Sequence, residues 1–529
     1  MRCFNELPER EQTIFVATTI IKMKFKFLTA IIITILSTAE LSIAQQTPAN
    51  IPGDFADPSI IRKGNSYYAI GTSSEWGPHF PIFKSNDLQQ WEQTGFLFDT
   101  PPSWTVSSFW APEYFFHHNT YYVYYTAKRK SDGVSCIGVA TSAFPDHGFK
   151  DHGVIIEYGH ESIDAFVYDD NGQLYITWKA YGLDKRPIEI LGSKLSDDGL
   201  SLTGDPFTLL KDDQRVGIEG QSILKKDKYY YLFYSAGACC GVSCSYNLRV
   251  ARALAITGPY VDDVANPVLS DGQDWKCPGH GTFVQDPKGN YHFIYHAYNK
   301  ASNVFTGREA IIAALSWDAG QWPVFGHTPT PKGKQPITSF HYDFTKTTQK
   351  IFWQWDFRNM QPVVKQTAGK LYLSGKYSDN NPAGVALTLR PYSASYDIST
   401  AVLNNNSAAK GLIIYGDASA ALGIAVRDDK VECWISKDGK RTVLNAQQIP
   451  NQQLPVYLRM TVSPDFTCKM YWKQGAAWNE LTPDKKPYSI SFLPPWDRSP
   501  RPGINYMGNE SDHAAFSFFD IKYHASGKP

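Results

Sequence analysis

At 529 residues the chain is too long for one hydrophobic core to organise, so two or three domains are expected. Lys+Arg and Asp+Glu both number 51, a balance that excludes charge-driven binding to nucleic acid or to an anionic membrane surface. Aromatic residues make up 14% of the chain, and such rings either fill β-rich cores or stack on sugar faces.

In chain order, the first feature is a leader. Met23-Lys24-Phe25-Lys26 is a basic start, Leu28 to Leu36 a short apolar run, and Ser42-Ile43-Ala44 a small-x-small cleavage site. The apolar run is too short to span a bilayer and ends before Glu40. Residues 23–44 therefore read as a secretory signal, and residues 1–22 as a mis-assigned extension upstream of the true start. No cysteine follows Ala44, which argues against a lipoprotein anchor, so export to the periplasm or medium is expected.

Residues 51–326 are expected to form short strands throughout. One pattern recurs in five copies: a head residue, a short apolar run, a Gly, Asn or Asp turn, then a tyrosine-rich strand. The copies start at Asp57, Ala111, Asp164, Ile218-Glu219 and His280, and their spacing of roughly 50–60 residues is that of one four-stranded propeller blade. Second hairpins lie between them, at Ile82–Leu88, Ile137–Ser142, Ile190–Leu195, Leu248–Ala253 and Ala310–Phe325. A five-bladed β-propeller is the expected fold. Residues 327–339, rich in Pro, Thr, Lys and Gly, read as a linker. Beyond it the tyrosine repeat is gone, and alternating runs from Leu371 to Phe519 predict a two-sheet sandwich over 340–529.

Of the eight cysteines, Cys3 precedes the leader. Cys239, Cys240, Cys244 and Cys277 stand near one another in sequence, and in an oxidising compartment a disulfide among them is expected, with the pairing left open. They lack the paired spacing and His partners of a zinc site. Cys433 and Cys468 either pair or remain buried thiols.

In a propeller the innermost strand of each blade begins beside the axis, so the five heads should face one cavity. Three carry carboxylates: Asp57, Asp164 and Glu219. Glycosidic cleavage needs one carboxyl to protonate the leaving oxygen and a second to activate water or attack the anomeric carbon; a third nearby raises the acid's pKa. Singly, each acid reads as a turn or strand-end residue; three at one repeat position read as a site. His280 is expected on the axis, bonding a substrate hydroxyl or an ion through water, or else bonded to backbone. Trp110 is expected either as a pocket wall against a sugar ring or as core. Arg308 is expected to reach the pocket from the last blade beside an acid partner, because a buried arginine needs one. Glu113 falls out of register and reads as structural.

Ala56-Asp57-Pro58-Ser59, Trp110-Ala111-Pro112-Glu113, Ile163-Asp164-Ala165, Ile218-Glu219-Gly220 and Gly279-His280-Gly281 occur in the order found in glycoside hydrolase family 43. Over residues 51–326 the chain resembles a β-xylosidase/α-L-arabinofuranosidase of that family. The resemblance implies a five-bladed propeller and an inverting mechanism in which Asp57 is general base, Glu219 general acid and Asp164 the residue that tunes and orients the acid. It implies a plant-derived oligosaccharide or polysaccharide as substrate and no cofactor for the chemistry. It also matches His280 to an axial histidine associated with calcium or another ion through water, Arg308 to an arginine approaching the sugar, and residues 340–529 to a concanavalin-like sandwich.

Overall fold

The computed structural model describes residues 48–326, 339–346 and 351–524. The expected extension, the secretory signal and linker residues 327–338 lie outside the described residues. Ser339, assigned to the linker from sequence, instead opens the strand Ser339–Tyr342.

The first half is built of five consecutive four-stranded antiparallel sheets, each a meander in chain order. Their first strands are Ser59–Lys63, Thr105–His117, Ser162–Asp170, Ile218–Lys226 and Trp275–Gln285. Each turn-and-tyrosine copy becomes the first hairpin of one sheet; in the fourth, Lys226 pairs with Tyr229 across Asp227 (φ 55°). Each first strand lies beside that of the next sheet, and Ser59–Lys63 lies beside Trp275–Gln285, so the order closes on itself. A short antiparallel bridge between Ile51 and Ala310 ties the start of this half to the fifth sheet.

Apolar clusters fill the seams. Ile70 and Phe80 meet Phe109 and Val123 between the first and second sheets. Ile137 and Val139 meet Val167 and Ile176 between the second and third. Ile190 meets Ile223 and Leu232, Phe233 and Val250 meet Phe293 and Leu315, and Ile294 and Ile312 meet Ile60 and Phe83. The alternating Tyr, Val and Ile of each strand thus serve two neighbouring sheets. Each such side chain taken fully out of water contributes about 1.5–3 kcal/mol.

The second half forms a nine-stranded and a six-stranded antiparallel sheet. Ile398, Leu458 and Phe516 of the larger share one buried cluster with Leu412, Ile424 and Ile504 of the smaller. The strands read from sequence at 371, 385, 411, 431, 456, 469 and 514 all form; Tyr396–Val402, Ala420–Arg427, Lys440–Gln448 and Arg501–Met507 add to them.

The halves are tied by backbone and side chain. Trp355-Asp356 pairs antiparallel with Trp76-Gly77. The Arg501 guanidinium lies 4.3 Å over Trp76, and the Ser499 amide donates to Asp54 Oδ2 at 3.2 Å. Trp76, Tyr246, Tyr298 and Phe305 belong to the same apolar cluster as the second half.

Candidate active site

In four of the five sheets the first strand enters through an irregularity. In the third sheet Ile163 pairs with Lys179 and Phe166 with Thr177, so Asp164 and Ala165 stand against one residue. The fourth repeats this between Glu219–Ser235 and Ser222–Phe233, and the second between Trp110–Thr126 and Glu113–Tyr124. One residue at each entry has a left-handed backbone: Asp57 (φ 49°), Ala111 (45°), Asp164 (61°), Gly220 (60°) and His280 (44°). For a residue with a side chain this conformation costs of order 1–3 kcal/mol, and it persists where the surroundings over-determine it. The five entries converge. His280 Nδ1 lies 3.5 Å from Asp57 Oδ1 and 3.8 Å from Asp164 Oδ2, and the Gly220 amide donates to Asp164 Oδ2 at 2.9 Å.

The register corrects one expectation. Glu219 does not occupy the repeat position of Asp57 and Asp164; it stands one residue earlier, in line with Trp110 and Ile163. Gly220 takes the left-handed position, where a Cβ would come within 2.8 Å of His280 Cγ. Glu219 therefore enters the hub differently from the other two acids.

The three carboxyls sit in different electrostatic environments. Burial alone would raise Asp57, but the Arg308 guanidinium, 2.9 Å from Oδ1, and then His280 outweigh it and hold the group well below the usual carboxylate range. The Thr72 hydroxyl donates to Asp57 Oδ2 at 2.6 Å. Asp164 is pushed up to about 7 by burial, with the Glu219 and Asp57 charges adding to the rise and His280 and Lys179 opposing it. Glu219 goes the other way. Burial resists ionisation, but the Lys179 ammonium, 2.8 Å from Oε2, wins and lowers it. The Tyr246 hydroxyl donates to Glu219 Oε1 at 3.1 Å. These surroundings favour charge on Asp57 and Glu219 and the proton on Asp164.

A ring of polar residues on the second strands joins the sheets. Thr72 Oγ1 accepts from the Ala111 amide (2.8 Å), Thr126 Oγ1 from Asp164 (3.3 Å), Ser235 Oγ from His280 (2.8 Å) and His296 Nδ1 from Asp57 (3.0 Å). His296 Nδ1 also lies 3.2 Å from Asp57 Oδ1, but a nitrogen accepting the amide proton cannot donate to that oxygen. Burial lowers His296 to about 4, so the ring is neutral and acts as acceptor. At the remaining joint, between the third and fourth sheets, the same position holds Lys179. It has no lone pair to offer, so the Gly220 amide turns to Asp164, while Lys179 bridges Glu219 and, at 3.2 Å, Glu161. The ring's fivefold pattern breaks at the joint where Glu219 sits.

The remaining expected residues fall in distinct places. Arg308 is fully buried behind Asp57 and donates through Nη2 to the Asp497 carbonyl of the second half (3.3 Å), so its acid partner is Asp57 itself. Trp110 is half-buried, with Lys128 over its ring at 6.0 Å. It lines a cleft of about 610 Å³ whose other walls include Glu75, Ser107, Ser108, Trp496 and Arg498. Glu113 is buried and raised to about 8 by burial, with Ser59 as its hydrogen-bond partner. Calcium takes six to eight oxygen ligands. The groups against His280 are the Asp57 and Asp164 carboxyls and the His296 ring, a set that does not fit a directly bound calcium ion.

Sequence reading missed Thr72, Lys179, Tyr246 and His296, although Thr126, Lys179, Ser235 and His296 each precede an alanine at the end of a tyrosine-rich strand. It also missed the contribution of residues 495–498 to the cleft. Among the cysteines, Cys239 pairs with Cys240 and Cys244 with Cys277, both in or beside the loop that carries Tyr246; Cys136, Cys433 and Cys468 are buried thiols.

Three carboxyls brought together around His280 and Lys179, their proton affinities pushed in opposite directions, are the equipment of a glycosidase. The chain belongs to glycosyl hydrolases family 43, which residues 49–323 match. It is 30% identical over 311 residues to an extracellular exo-α-(1→5)-L-arabinofuranosidase (ArbA) of Cellvibrio japonicus, covering 51% of this chain and 86% of that protein. It is 29% identical over 292 residues to extracellular endo-α-(1→5)-L-arabinanase 1 of Bacillus subtilis, covering 51% and 87%. In fold it is similar to a xylan β-1,4-xylosidase of Bacillus halodurans, with a TM-score of 0.76 at 22% identity over 90% of this chain and 100% of that one. Among the described residues no helix is long and apolar enough to cross a membrane.

Proposed function

We propose that the five closed-order sheets are the blades of a propeller over residues 51–326, that the two larger sheets form a concanavalin-like sandwich, and that this exported glycosidase releases terminal arabinofuranose or xylose from plant cell-wall oligosaccharides and polysaccharides with inversion. Asp57, ionised and fixed by Arg308 and Thr72, is the general base that takes a proton from the attacking water. Glu219 is the general acid at the glycosidic oxygen. Asp164, raised by burial and bonded to the Gly220 amide next to Glu219, tunes that acid's hold on its proton and orients it. His280, between Asp57 and Asp164, orients both, and Trp110 is the apolar wall under a sugar ring. No step uses a cofactor, and none is routed through calcium.

The single observation carrying this reading is the convergence of the carboxyls, with Asp57 and Asp164 both within 3.8 Å of His280 Nδ1, the Gly220 amide on Asp164, and the neighbouring Glu219 held by Lys179. Restriction to chain ends is supported by the wall that Trp496 and Arg498 build against the cleft beside Trp110. The similarity to an endo-acting arabinanase, almost equal to that to the exo-acting relative, favours internal cleavage of arabinan as the second reading. Proton NMR of arabino- and xylo-oligosaccharide digests tests both points at once. The proposal expects a monosaccharide as first product, released in the anomeric configuration opposite to that of the bond cleaved. A retained anomer would overturn the roles of Asp57 and Glu219, and mixed oligomers from the first minutes would overturn exo action. Sugar binding without any release would leave a non-catalytic carbohydrate-binding propeller.

A further inference from the structure

The first strand of the second sheet, Thr105–His117, ends in a reversal seven residues beyond Trp110, about 20 Å along the strand from the carboxylate hub. His118 and Asn119 both adopt left-handed φ, 46° and 58°, as a two-residue hairpin turn requires. Successive strand residues would point to opposite faces. Here the turn instead brings the His117 and His118 rings together, with centroids 3.8 Å apart. Asp197 reaches them from the third sheet, on the turn after the strand Ile188–Lys194. The Tyr124 hydroxyl pins that turn to the second sheet by donating to the Gly199 carbonyl at 2.9 Å.

Nε2 of His117 and Nε2 of His118 each lie 3.2 Å from Asp197 Oδ1. Among the described residues this is the one group of three His, Cys, Asp or Glu whose ligand atoms all fall within 4.8 Å of one another. Ligand atoms about 2.1 Å from a common ion stand about 3.0 Å apart at octahedral angles and about 3.4 Å apart at tetrahedral ones. The observed separations fall between these limits. Two imidazoles and one carboxylate suit zinc, nickel or copper and do not suit calcium or magnesium, which prefer oxygen. The side chains of His118 and Asp197 are 66% and 75% exposed, so water has room to complete the coordination.

We propose that His117, His118 and Asp197 form a binding site for a divalent transition ion of the zinc class, which clamps the second sheet to the third at the end remote from the carboxylates. The ion binds the folded chain and not the unfolded one, so it raises the thermal midpoint as its concentration rises. Without an ion, the two rings simply hydrogen-bond the carboxylate.

The test uses untagged full-length protein stripped with a chelator and titrated with Zn²⁺ by calorimetry and by thermal unfolding, with Co²⁺ as an absorbing substitute. The expected result is one Zn²⁺ per chain, a rise in melting temperature, and nitrogen-ligated Co²⁺ bands. His118→Ala and Asp197→Asn should each weaken binding at least tenfold and remove the thermal rise, with glycosidase activity unchanged. His147→Ala, at an exposed histidine ion-paired with Asp146 and away from this cluster, should leave Zn²⁺ binding and the Zn²⁺-dependent rise in melting unchanged. Absence of Zn²⁺ binding by the parent chain at millimolar concentration, or equal affinity in His118→Ala and Asp197→Asn, would overturn the proposal.

Discussion

Replacing Lys179 with methionine asks whether the broken joint of the polar ring governs the proton on the Asp164–Glu219 pair proposed to supply the acid. Lys179 lies 2.8 Å from Glu219 and 3.2 Å from Glu161, all three side chains being largely buried. The Lys179 ammonium, shared between the two acids, is the main influence that lowers Glu219 against its burial. Removing the cation raises the affinity of the Asp164–Glu219 pair for its proton. The acid form then survives to higher pH, and the basic limb of kcat/KM, expected near 7 from Asp164, moves up. The single change also strands Glu161 without its cation, at a cost of about 3–5 kcal/mol. Lys179→Met should therefore be paired with Glu161→Gln, and pH–rate profiles recorded for both the double variant and Glu161→Gln alone. A basic limb that stays in place or moves to lower pH in the double variant would refute the reasoning.

Glu219→Gln should lower turnover by orders of magnitude on oligosaccharides and far less on aryl glycosides whose leaving groups need no proton; equal losses on both would remove Glu219 from the acid role. Gly220→Ala should cut kcat/KM at least tenfold with the circular dichroism spectrum unchanged, because its Cβ would sit 2.8 Å from His280 Cγ on a left-handed backbone. Loss of the Cys244–Cys277 link, which spans 33 residues, should lower stability by about 3–4 kcal/mol in denaturant titrations, the loop-closure entropy it removes from the unfolded chain.

Much of this architecture was legible because its strands repeat. Five copies of one turn-and-tyrosine pattern give five first hairpins, and the acids at or beside their heads meet, as strand starts near a common axis must. The offset of Glu219 was not legible, because bulges at the strand entries decide which residue turns left-handed, and a bulge leaves no mark in hydrophobic alternation. Lys179 could have been found by aligning the ends of the tyrosine strands, where Thr126, Ser235 and His296 are hydrogen-bond acceptors and Lys179 alone is a cation. The walls supplied by Trp496 and Arg498 come from hundreds of residues downstream, and nothing local in Pro495-Trp496-Asp497-Arg498 marks a cleft. The disulfide pairing likewise depended on how the loop carrying Tyr246 folds back toward Cys277.

The most direct test of the hydrolytic hub is reducing-sugar release from linear α-1,5-arabino-oligosaccharides and xylo-oligosaccharides by the parent chain and by Asp57→Asn. Steady release by the parent and a loss of at least a thousandfold in the variant is the predicted result, because the carboxylate proposed to activate water is gone. Undiminished release by Asp57→Asn would contradict the account.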